Sequence, residues 1–399
     1  MIEVFDSIES SRFPLGFCVD RKGSRDSVFS GQEGKTVLKV EARALGAHQK
    51  EAVVTEGELG PKWRMVSDEG PQLKGSDLAP FPLGFFNAGL QTDLLGNIDH
   101  LNQAAGSPLS SVQQTLVNRY TFSGSFFAGT GQGQAEPAEI EIHTKGGCSL
   151  DQAAALVSGA VRNALGLAAM SCAMDCTFAI YVNGIRRTVT GVTPSAAADA
   201  RDPLKAQGGP PRPLADGQDL PGVIQKTSDY LPPADAMPSS SSKYGLEVLG
   251  RSDLVLSKAQ ASARTTLKAP PGSEFGFQTQ EGQPQNPAAP SGLALLSAGI
   301  AFCYMTQLLR YSEYLKYKVR AIRMVQFNPF ERSADPQGNL IARALPVDTH
   351  LFLHGDESDE VMQKLLAMGA NTCYLHAALK GALNPQVTLV HEGQRRQIS

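Results

Sequence analysis

The feature that most constrains the fold of this chain is a repeat of its own sequence at a fixed distance. Residues 82–98, PLGFFNAGLQTDLLGNI, resemble residues 291–307, SGLALLSAGIAFCYMTQ, once the two segments are aligned on their Ala-Gly dipeptides. In this alignment Gly89 falls on Gly299, which is an offset of 299 − 89 = 210 residues. A repeat of this length indicates the architecture of a chain more strongly than any of its local patterns.

The match continues on both sides of these segments. Upstream, VSDEGPQ, which follows Trp63, parallels QTQEGQPQ, which follows Phe275. Downstream, Gly159 aligns with Gly369, and 369 − 159 is again 210. Two copies are too few for a solenoid, whereas two halves packed on each other form the covalent equivalent of a two-fold homodimer. The repeat therefore predicts two similar units that pack as an intramolecular pseudo-dimer.

Composition divides the chain into three parts. Residues 193–244 are dominated by Pro, Ala, Gly, Asp and Ser, in runs such as GGPPRPLADG and LPPADAMPSSSS. Such a segment buries too little apolar surface to offset the entropy lost on ordering. We therefore expect an N-terminal half over 1–192, a linker over 193–244 and a C-terminal half over 245–399.

Hydrophobic periodicity predicts an α+β fold in which each half combines a β-meander with long central helices. The dipeptide Asn183-Gly184 suits the turn of a tight hairpin within residues 177–192. The predicted helices cover residues 85–104, 150–169, 293–317 and 358–379. The predicted strands lie within residues 35–66 and at 119–127, 139–144, 254–267, 274–279, 319–327, 349–354 and 387–391.

Charge and cysteine content exclude several classes of function. With 36 basic and 39 acidic residues the net charge is −3, so nucleic acid is not an expected partner. The N-terminus lacks the basic start and apolar run of a secretory signal, and no stretch approaches about 18 uninterrupted apolar residues. We therefore expect a cytoplasmic protein without a membrane partner. Six cysteines in 399 residues are too sparse for a disulfide scaffold, and free thiols are expected.

The two copies differ at positions that matter chemically. Cys303 lies in the middle of its predicted helix, and at the 210-residue offset its counterpart is Asp93. Cys373 lies in the next helix, and its counterpart is Asn163. A free cysteine on an apolar helix is usually a small buried hydrophobe. Replacement of both cysteines by polar residues in the other copy instead indicates a cleft.

A long predicted helix contains the pattern L-x-x-A-G-x-x-x-C, of which Cys303 is the last residue. Strands and a helix with a second cysteine follow it. This arrangement resembles the OsmC-like family. This family includes the organic hydroperoxide resistance proteins. The resemblance covers most of residues 245–392 and, more weakly, residues 35–176. It implies intertwined α/β subunits with long central helices, and a reactive cysteine on the first helix that a second cysteine resolves.

Carried onto this sequence, the resemblance implies particular site residues. Cys303 takes the peroxidatic position, Cys373 the resolving position, and Arg264 that of the activating arginine, with Arg43 as its counterpart in the first half. The sequence also departs from the family. Leu293 stands where the family has a glutamate ten residues before the peroxidatic cysteine. Tyr374 replaces the proline that usually follows the resolving cysteine.

These residues favour a thiol peroxidase. A thiolate is the reactive form, and a free thiol with a pKa near 8.5 needs a neighbouring cation, for which Arg264 is the candidate. The Cys303 thiolate would reduce a small organic hydroperoxide and become a sulfenic acid, which Cys373 captures as a disulfide. An external dithiol is then the expected reductant. No cofactor or metal is expected.

Two alternatives use the same pocket. Cys303 or Cys373 with His376, which is three residues after Cys373 on the same helix face, could act as a hydrolase or transferase on an activated carbonyl or thioester. The second alternative is a non-catalytic protein that binds an apolar ligand. The expected substrate-binding or ligand-binding residues are aromatic: Phe85, Phe86, Phe302, Tyr304 and Tyr374.

Overall fold

A computed structural model describes most of the chain as a mixed α+β protein with two mixed sheets. The described residues are 7–21, 35–203, 211–214, 222–230, 245–282, 287–334 and 340–398. The helices within them are α1 (Ile8–Ser11), α2 (Pro82–Ala104), α3 (Leu150–Asn163), α4 (Leu165–Ser171), α5 (Gly292–Tyr314), α6 (Asp359–Thr372) and α7 (Tyr374–Lys380).

The strands begin close to the N-terminus and continue almost to the end of the chain. Those of the first half of the sequence are β1 (Gly16–Asp20), β2 (Lys35–Ala44), β3 (Lys50–Glu56), β4 (Lys62–Ser67), β5 (Leu109–Ser123), β6 (Gln132–Ala135), β7 (Glu139–Gly146), β8 (Thr177–Val182), β9 (Ile185–Arg187) and β10 (Thr193–Pro194). Those that follow are β11 (Ile224–Ser228), β12 (Leu246–Val255), β13 (Gln260–Ala269), β14 (Pro271–Gln280), β15 (Val319–Ala334), β16 (Leu340–Ala344), β17 (Asp348–Gly355), β18 (Gln386–His391) and β19 (Gln394–Gln397).

Each sheet combines groups of strands from early and late parts of the chain. The first sheet has the order β1-β4-β3-β2-β15-β17-β8-β10, with β16 beside β15 and β9 beside β8. The second has the order β11-β14-β13-β12-β5-β7-β18-β19, with β6 beside β5. The two sheets share one pattern. In the first, the meander ending at β2 pairs antiparallel with β15, β15 pairs antiparallel with β17, and β17 pairs parallel with β8. In the second, β12, β5, β7 and β18 follow the same pattern. Neither sheet is built from one contiguous part of the sequence.

The two longest helices form the centre of the molecule. Helix α2 packs against the second sheet and α5 against the first, while α2 and α5 pack on each other. The order of layers is therefore sheet, helix, helix, sheet, with the apolar faces directed inwards. Pro82 occupies the first turn of α2, and the Ser291 side chain caps α5 by accepting a hydrogen bond from the Ala294 amide at 3.2 Å.

Glycines let α2 and α5 approach each other closely. A Cβ atom added to Gly89 would lie 2.6 Å from the backbone oxygen of Gly292. One added to Gly299 would lie 2.8 Å from the backbone nitrogen of Phe86. Both distances are shorter than a real Cβ contact, so the helix backbones touch at the glycines that the repeat aligns.

The helix predictions are confirmed for α2 and α5 within three residues at each end. The other two helices were predicted as single elements, and this is wrong in both cases. The first ends at Asn163 and resumes as α4 after a bend of 67°. The second breaks at Cys373, whose extended backbone, with ψ of 116°, cannot continue the helical hydrogen-bond pattern.

The predicted hairpin is confirmed, because β8 and β9 pair around Asn183 and Gly184, both with positive φ. The predicted strand at 254–267 is two strands, β12 and β13, joined by a turn. Part of the predicted linker also forms strands, since β10 and β11 lie within residues 193–244 and join the sheets. Residues 204–210, 215–221 and 231–244 of that segment lie outside the described residues.

One helix in the described part of the chain is long and apolar enough to cross a membrane. It is α5, and 94% of its most apolar window is buried inside the protein. Its apolar surface is covered by α2 and by strands of the first sheet.

Candidate functional site

The two cysteines singled out by the sequence meet inside the molecule. Cys303 lies in the middle of α5 and is 3% exposed, and Cys373 lies at the break between α6 and α7 and is fully buried. Their side chains are close enough to interact. Burial raises the pKa of Cys373 well above its usual value, and the interaction with Cys303 raises it further. Cys373 therefore stays protonated at neutral pH.

Cys303 opens into a cavity of about 210 Å³ that has one apolar side and one polar side. The polar side carries Glu69, Thr306, Gln307 and Arg310. Tyr374, immediately after the second cysteine, also lines the cavity. The apolar side is formed by Phe81, Pro82, Leu83, Leu246, Leu267 and Pro270.

A buried ion pair supports the polar side of this cavity. The Lys50 ammonium, which is fully buried at the start of β3, donates to Glu69 Oε1 at 2.7 Å and to Thr306 Oγ1 at 2.9 Å. Thr306 also donates to Glu69 and lies three residues after Cys303 on α5. A buried charge needs such a partner because its desolvation is costly. The network thus fixes a carboxylate beside the thiol cavity.

Arg310 brings a second cation to the same cavity. It lies seven residues after Cys303, or about 10 Å along the helix axis. Helical side chains lean towards the N-terminus, and the Arg310 guanidinium donates to Gln307 Oε1 at 3.0 Å. Its Cζ atom lies 4.4 Å from the ring centroid of Phe126. A guanidinium stays charged when partly desolvated, so it can stabilise a thiolate here.

Tyr120 places a buried phenol next to the thiol pair. Its hydroxyl has no hydrogen-bond partner within the described residues, and its ring centroid lies 5.6 Å from that of Tyr374. Burial raises the pKa of Tyr120 well above its usual value, and any negative charge that develops on the neighbouring thiols adds to this effect. Tyr120 therefore stays protonated and is available as a hydrogen-bond donor.

The structure places the two candidate arginines outside this cavity. Arg264 is exposed on β13, where its neighbours Ala263 and Thr265 are buried, because successive strand residues point to opposite faces. Arg43, on β2, donates to Glu51 Oε1 at 2.8 Å. The cation that the structure brings to the Cys303 cavity is Arg310, which the motif position did not indicate.

The expected aromatic contacts divide into two groups. Tyr374 lines the cavity. The others are core residues instead, and Phe85, for example, packs edge-on against the Phe302 ring at 5.2 Å. Tyr304 is buried and donates its hydroxyl to the Leu366 carbonyl at 3.1 Å. Phe86 is likewise fully buried. Their spacing on α2 and α5 directs them between the helices and sheets rather than into the cavity.

His376 lines a different cavity, of about 780 Å³, together with Cys176 and Lys380. Both of its ring nitrogens are buried without a hydrogen-bond partner in the described part of the chain. Burial lowers its pKa to about 4, so the imidazole is neutral at pH 7. The hydrolase hypothesis requires His376 to line the same cavity as Cys303. His376 lines the other cavity instead.

The counterparts of the two cysteines line another cavity, of about 580 Å³. Asp93 and Asn163, which align with Cys303 and Cys373, both face it, as does Glu281, which parallels Glu69. Burial raises the pKa of Asp93 to about 6, and burial together with the Asp93 charge raises that of Glu281. Glu56 also faces this cavity, and burial raises its pKa to about 7.

The remaining cysteines lie elsewhere, and all six are free thiols. Cys172 and Cys176 lie near the end of α4. Within the described ranges, no group of three or more His, Cys, Asp or Glu side chains is arranged to hold a metal ion.

Several functional candidates were missed by sequence reasoning, namely Lys50, Glu69, Tyr120, Thr306 and Arg310. Glu69 lies in the VSDEGPQ segment, where the repeat was visible but carried no chemical signal. Lys50 and Tyr120 come from β3 and β5, and the fold brings these strands to α5, which carries Cys303, Thr306 and Arg310. Arg310 follows Cys303 at helical spacing, which was the one local signal available.

Comparison with known protein families finds no match, and comparison with curated proteins finds none either. Among solved structures, this chain is similar to the crystal structure of an OsmC-like hydroperoxide resistance protein from Jannaschia sp. CCS1. The sequence identity is 21%, the alignment covers 38% of this chain and 97% of that chain, and the TM-score is 0.26.

Proposed function

We propose that the chain is a fused pair of OsmC-like units, with a first half over 1–192, a linker over 193–244 and a second half over 245–399. Two observations support this. The repeat keeps an offset of 210 residues over two helices. The two sheets also follow the same order of elements, since β4-β3-β2-β15-β17-β8 corresponds strand by strand to β14-β13-β12-β5-β7-β18. Such interleaving is what two intertwined subunits would give after fusion.

The function that the site supports best is a thiol-dependent reduction of organic hydroperoxides. The observation that carries this proposal is the proximity of the Cys303 and Cys373 side chains beside a cavity that also holds a guanidinium and a carboxylate. Peroxide reduction needs a thiolate, a cation that stabilises it and a second thiol within bonding reach. The apolar wall of the cavity suits a substrate with an organic group.

The proposed reaction balances as follows. The Cys303 thiolate attacks the distal peroxide oxygen, the O–O bond breaks, and the alkoxide leaves and takes up a proton to become the alcohol. Cys303 is now a sulfenic acid. The Cys373 sulfur attacks it, a disulfide forms and water leaves. An external dithiol then reduces the disulfide and is itself oxidised to a disulfide.

The roles of the polar groups follow from their positions. Arg310 stabilises the Cys303 thiolate, and Glu69, held by Lys50, supplies the carboxylate that Leu293 does not provide. Tyr120 donates a hydrogen bond to the sulfur pair or to the departing oxygen. The first half of the chain thus contributes Lys50, Glu69 and Tyr120 to the cysteine site of the second half.

The test is to treat the protein with cumene hydroperoxide and identify its linked peptides by mass spectrometry. We expect a Cys303–Cys373 disulfide. Cys373→Ser should leave a Cys303 sulfenic acid that a dione reagent traps, and Cys303→Ser should show neither product. Cys148→Ser is the matched control, because Cys148 lies outside the cavity, and it should behave as the unmodified protein. Absence of the disulfide under mild oxidation would refute the peroxidase.

A further inference from the structure

The loop between β5 and β6 contacts the cation of the thiol site. Phe126 in this loop stacks on Tyr311, with ring centroids 3.9 Å apart and ring planes at 7° to each other. The Arg310 guanidinium lies over the same ring at 4.4 Å. A parallel ring at 3.9 Å fills one face of Phe126, so the guanidinium occupies the other. Phe126 is thus held between two consecutive side chains of α5.

Hydrogen bonds and glycines within the loop itself fix its conformation. The Thr130 amide donates to the Ser125 carbonyl at 3.0 Å, and the Gly129 amide donates to the Phe126 carbonyl at 3.1 Å. Gly124 and Gly129 have positive φ, which glycine adopts without strain. A Cβ atom on Gly129 would lie 2.8 Å from Met368 Sδ, so the loop also rests closely on α6. These contacts fix where the Phe126 ring stands.

Within the described part of the chain, the other contact that holds the Arg310 guanidinium is local. It is a hydrogen bond to Gln307, three residues earlier on the same helix. An arginine side chain loses considerable rotamer entropy when it is fixed in one position. The face of Phe126 limits the guanidinium to positions over the cavity that Cys303 lines.

We infer that Phe126 is a positioning residue that keeps the Arg310 guanidinium at the Cys303 cavity. The inference rests on the proposed function, because it assigns to Arg310 the stabilisation of the Cys303 thiolate. It makes the reactivity of a cysteine in the second half of the chain depend on a loop from the first half. Phe127, the next residue, is 65% exposed and packs on Tyr314 and edge-on against Phe126, and it does not form the face on which the Arg310 guanidinium lies.

The experiment measures the rate of iodoacetamide alkylation at Cys303 between pH 5 and 10, by peptide mass spectrometry on the full-length protein. We expect Phe126→Ala and Phe126→Leu to slow alkylation at pH 7 by about three- to tenfold and to move the pH midpoint upwards. Arg310→Met should give at least as large a change. Phe126→Tyr keeps the aromatic face and should restore the original profile. Phe127→Ala is the matched control and should not alter it.

The outcomes separate the two proposals. An unchanged profile in Phe126→Ala beside a shifted profile in Arg310→Met overturns the positioning role and leaves the proposed function standing. An unchanged profile in Arg310→Met overturns both, because there is then no activating guanidinium to position. A shift in Phe127→Ala equal to that in Phe126→Ala also overturns the positioning role, since it would show a general effect of the loop.

Discussion

At the scale of single residues, the two related cavities of this protein differ at the position of the reactive thiol. One is lined by Cys303 with a guanidinium beside it, and the other is lined by the carboxyl group of Asp93 at the aligned position. Asp93 is 3% exposed and accepts a hydrogen bond from the Gly166 amide at 2.8 Å. Its charge and that of Glu281 repel each other inside the protein. Such a pair retains a proton at a pH where an exposed carboxyl has lost it.

This arrangement makes the stability of the fold depend on pH. Burial raises the pKa of Asp93 to about 6 and that of Glu56 to about 7, whereas an unfolded carboxyl titrates near pH 4. Between these values the unfolded state releases protons that the folded state keeps, so stability falls as the pH rises from about 4 to about 7. Asp93→Asn removes one of these charges and keeps an oxygen for the Gly166 amide.

We expect Asp93→Asn to be more stable than the unmodified protein at pH 8, by on the order of 2 kcal/mol, and to differ little from it at pH 4. Urea unfolding at both pH values measures this. Asp151→Asn, on an exposed side chain at the start of α3, is the matched control and should keep the original pH dependence. Equal losses of stability at both pH values would contradict the expectation.

At the scale of elements, the contact between α2 and α5 decides where the thiol site lies. Glycines at the crossing allow the backbones to touch, which places Cys303 between the two sheets. The break at Cys373 matters equally, because a continuous helix would not have turned its thiol towards α5. The sequence predicted the helices but not this break, since no proline or glycine occurs at Cys373.

The crossing can be tested by adding one methyl group. Gly89→Ala would place a Cβ atom 2.6 Å from both the Gly292 oxygen and the Leu296 nitrogen, so the helices must separate. We expect a loss of about 2 kcal/mol in the free energy of unfolding, despite the better helix propensity of alanine.

The control for this change is Gly159→Ala on α3. Its Cβ atom would meet the flexible Leu101 side chain at 3.1 Å, and it should change stability by less than about 1 kcal/mol. Chemical unfolding compares the two variants. Equal stability of the Gly89 and Gly159 variants would show that the crossing tolerates a wider spacing.

At the scale of the whole molecule, the strands of the two parts of the chain complete each other's sheets. Strand β2 pairs with β15, and β12 pairs with β5. Separation of the parts would leave these edges unpaired, and unpaired edges promote aggregation. The cavities would be incomplete as well, because Glu69 and Cys303 come from different parts.

We therefore expect that residues 1–203 and 222–399, produced as separate polypeptides, do not fold alone but form a 1:1 complex when they are refolded together. Circular dichroism, cooperative unfolding and size-exclusion chromatography measure this outcome. Each fragment refolded by itself is the control. A fragment that gives a cooperative monomer on its own would contradict the interdependence of the sheets.

Local sequence determined much of this protein. Hydrophobic periodicity fixed the type and place of the central helices and most strands, and the repeat marked Cys303 and Cys373 as the positions where the copies diverge. These signals are readable because periodicity and alignment depend only on residues close in sequence or at a constant offset.

Tertiary structure alone decided which groups surround the thiols. The strand period turned Arg264 outwards, and the packing of α2 on α5 buried Phe85 in the core. Strand pairing across the chain brought Lys50 and Glu69 to a cysteine more than 230 residues away. Such contacts leave no local pattern, because the free energy that selects them belongs to the packing of the whole chain and not to any one segment.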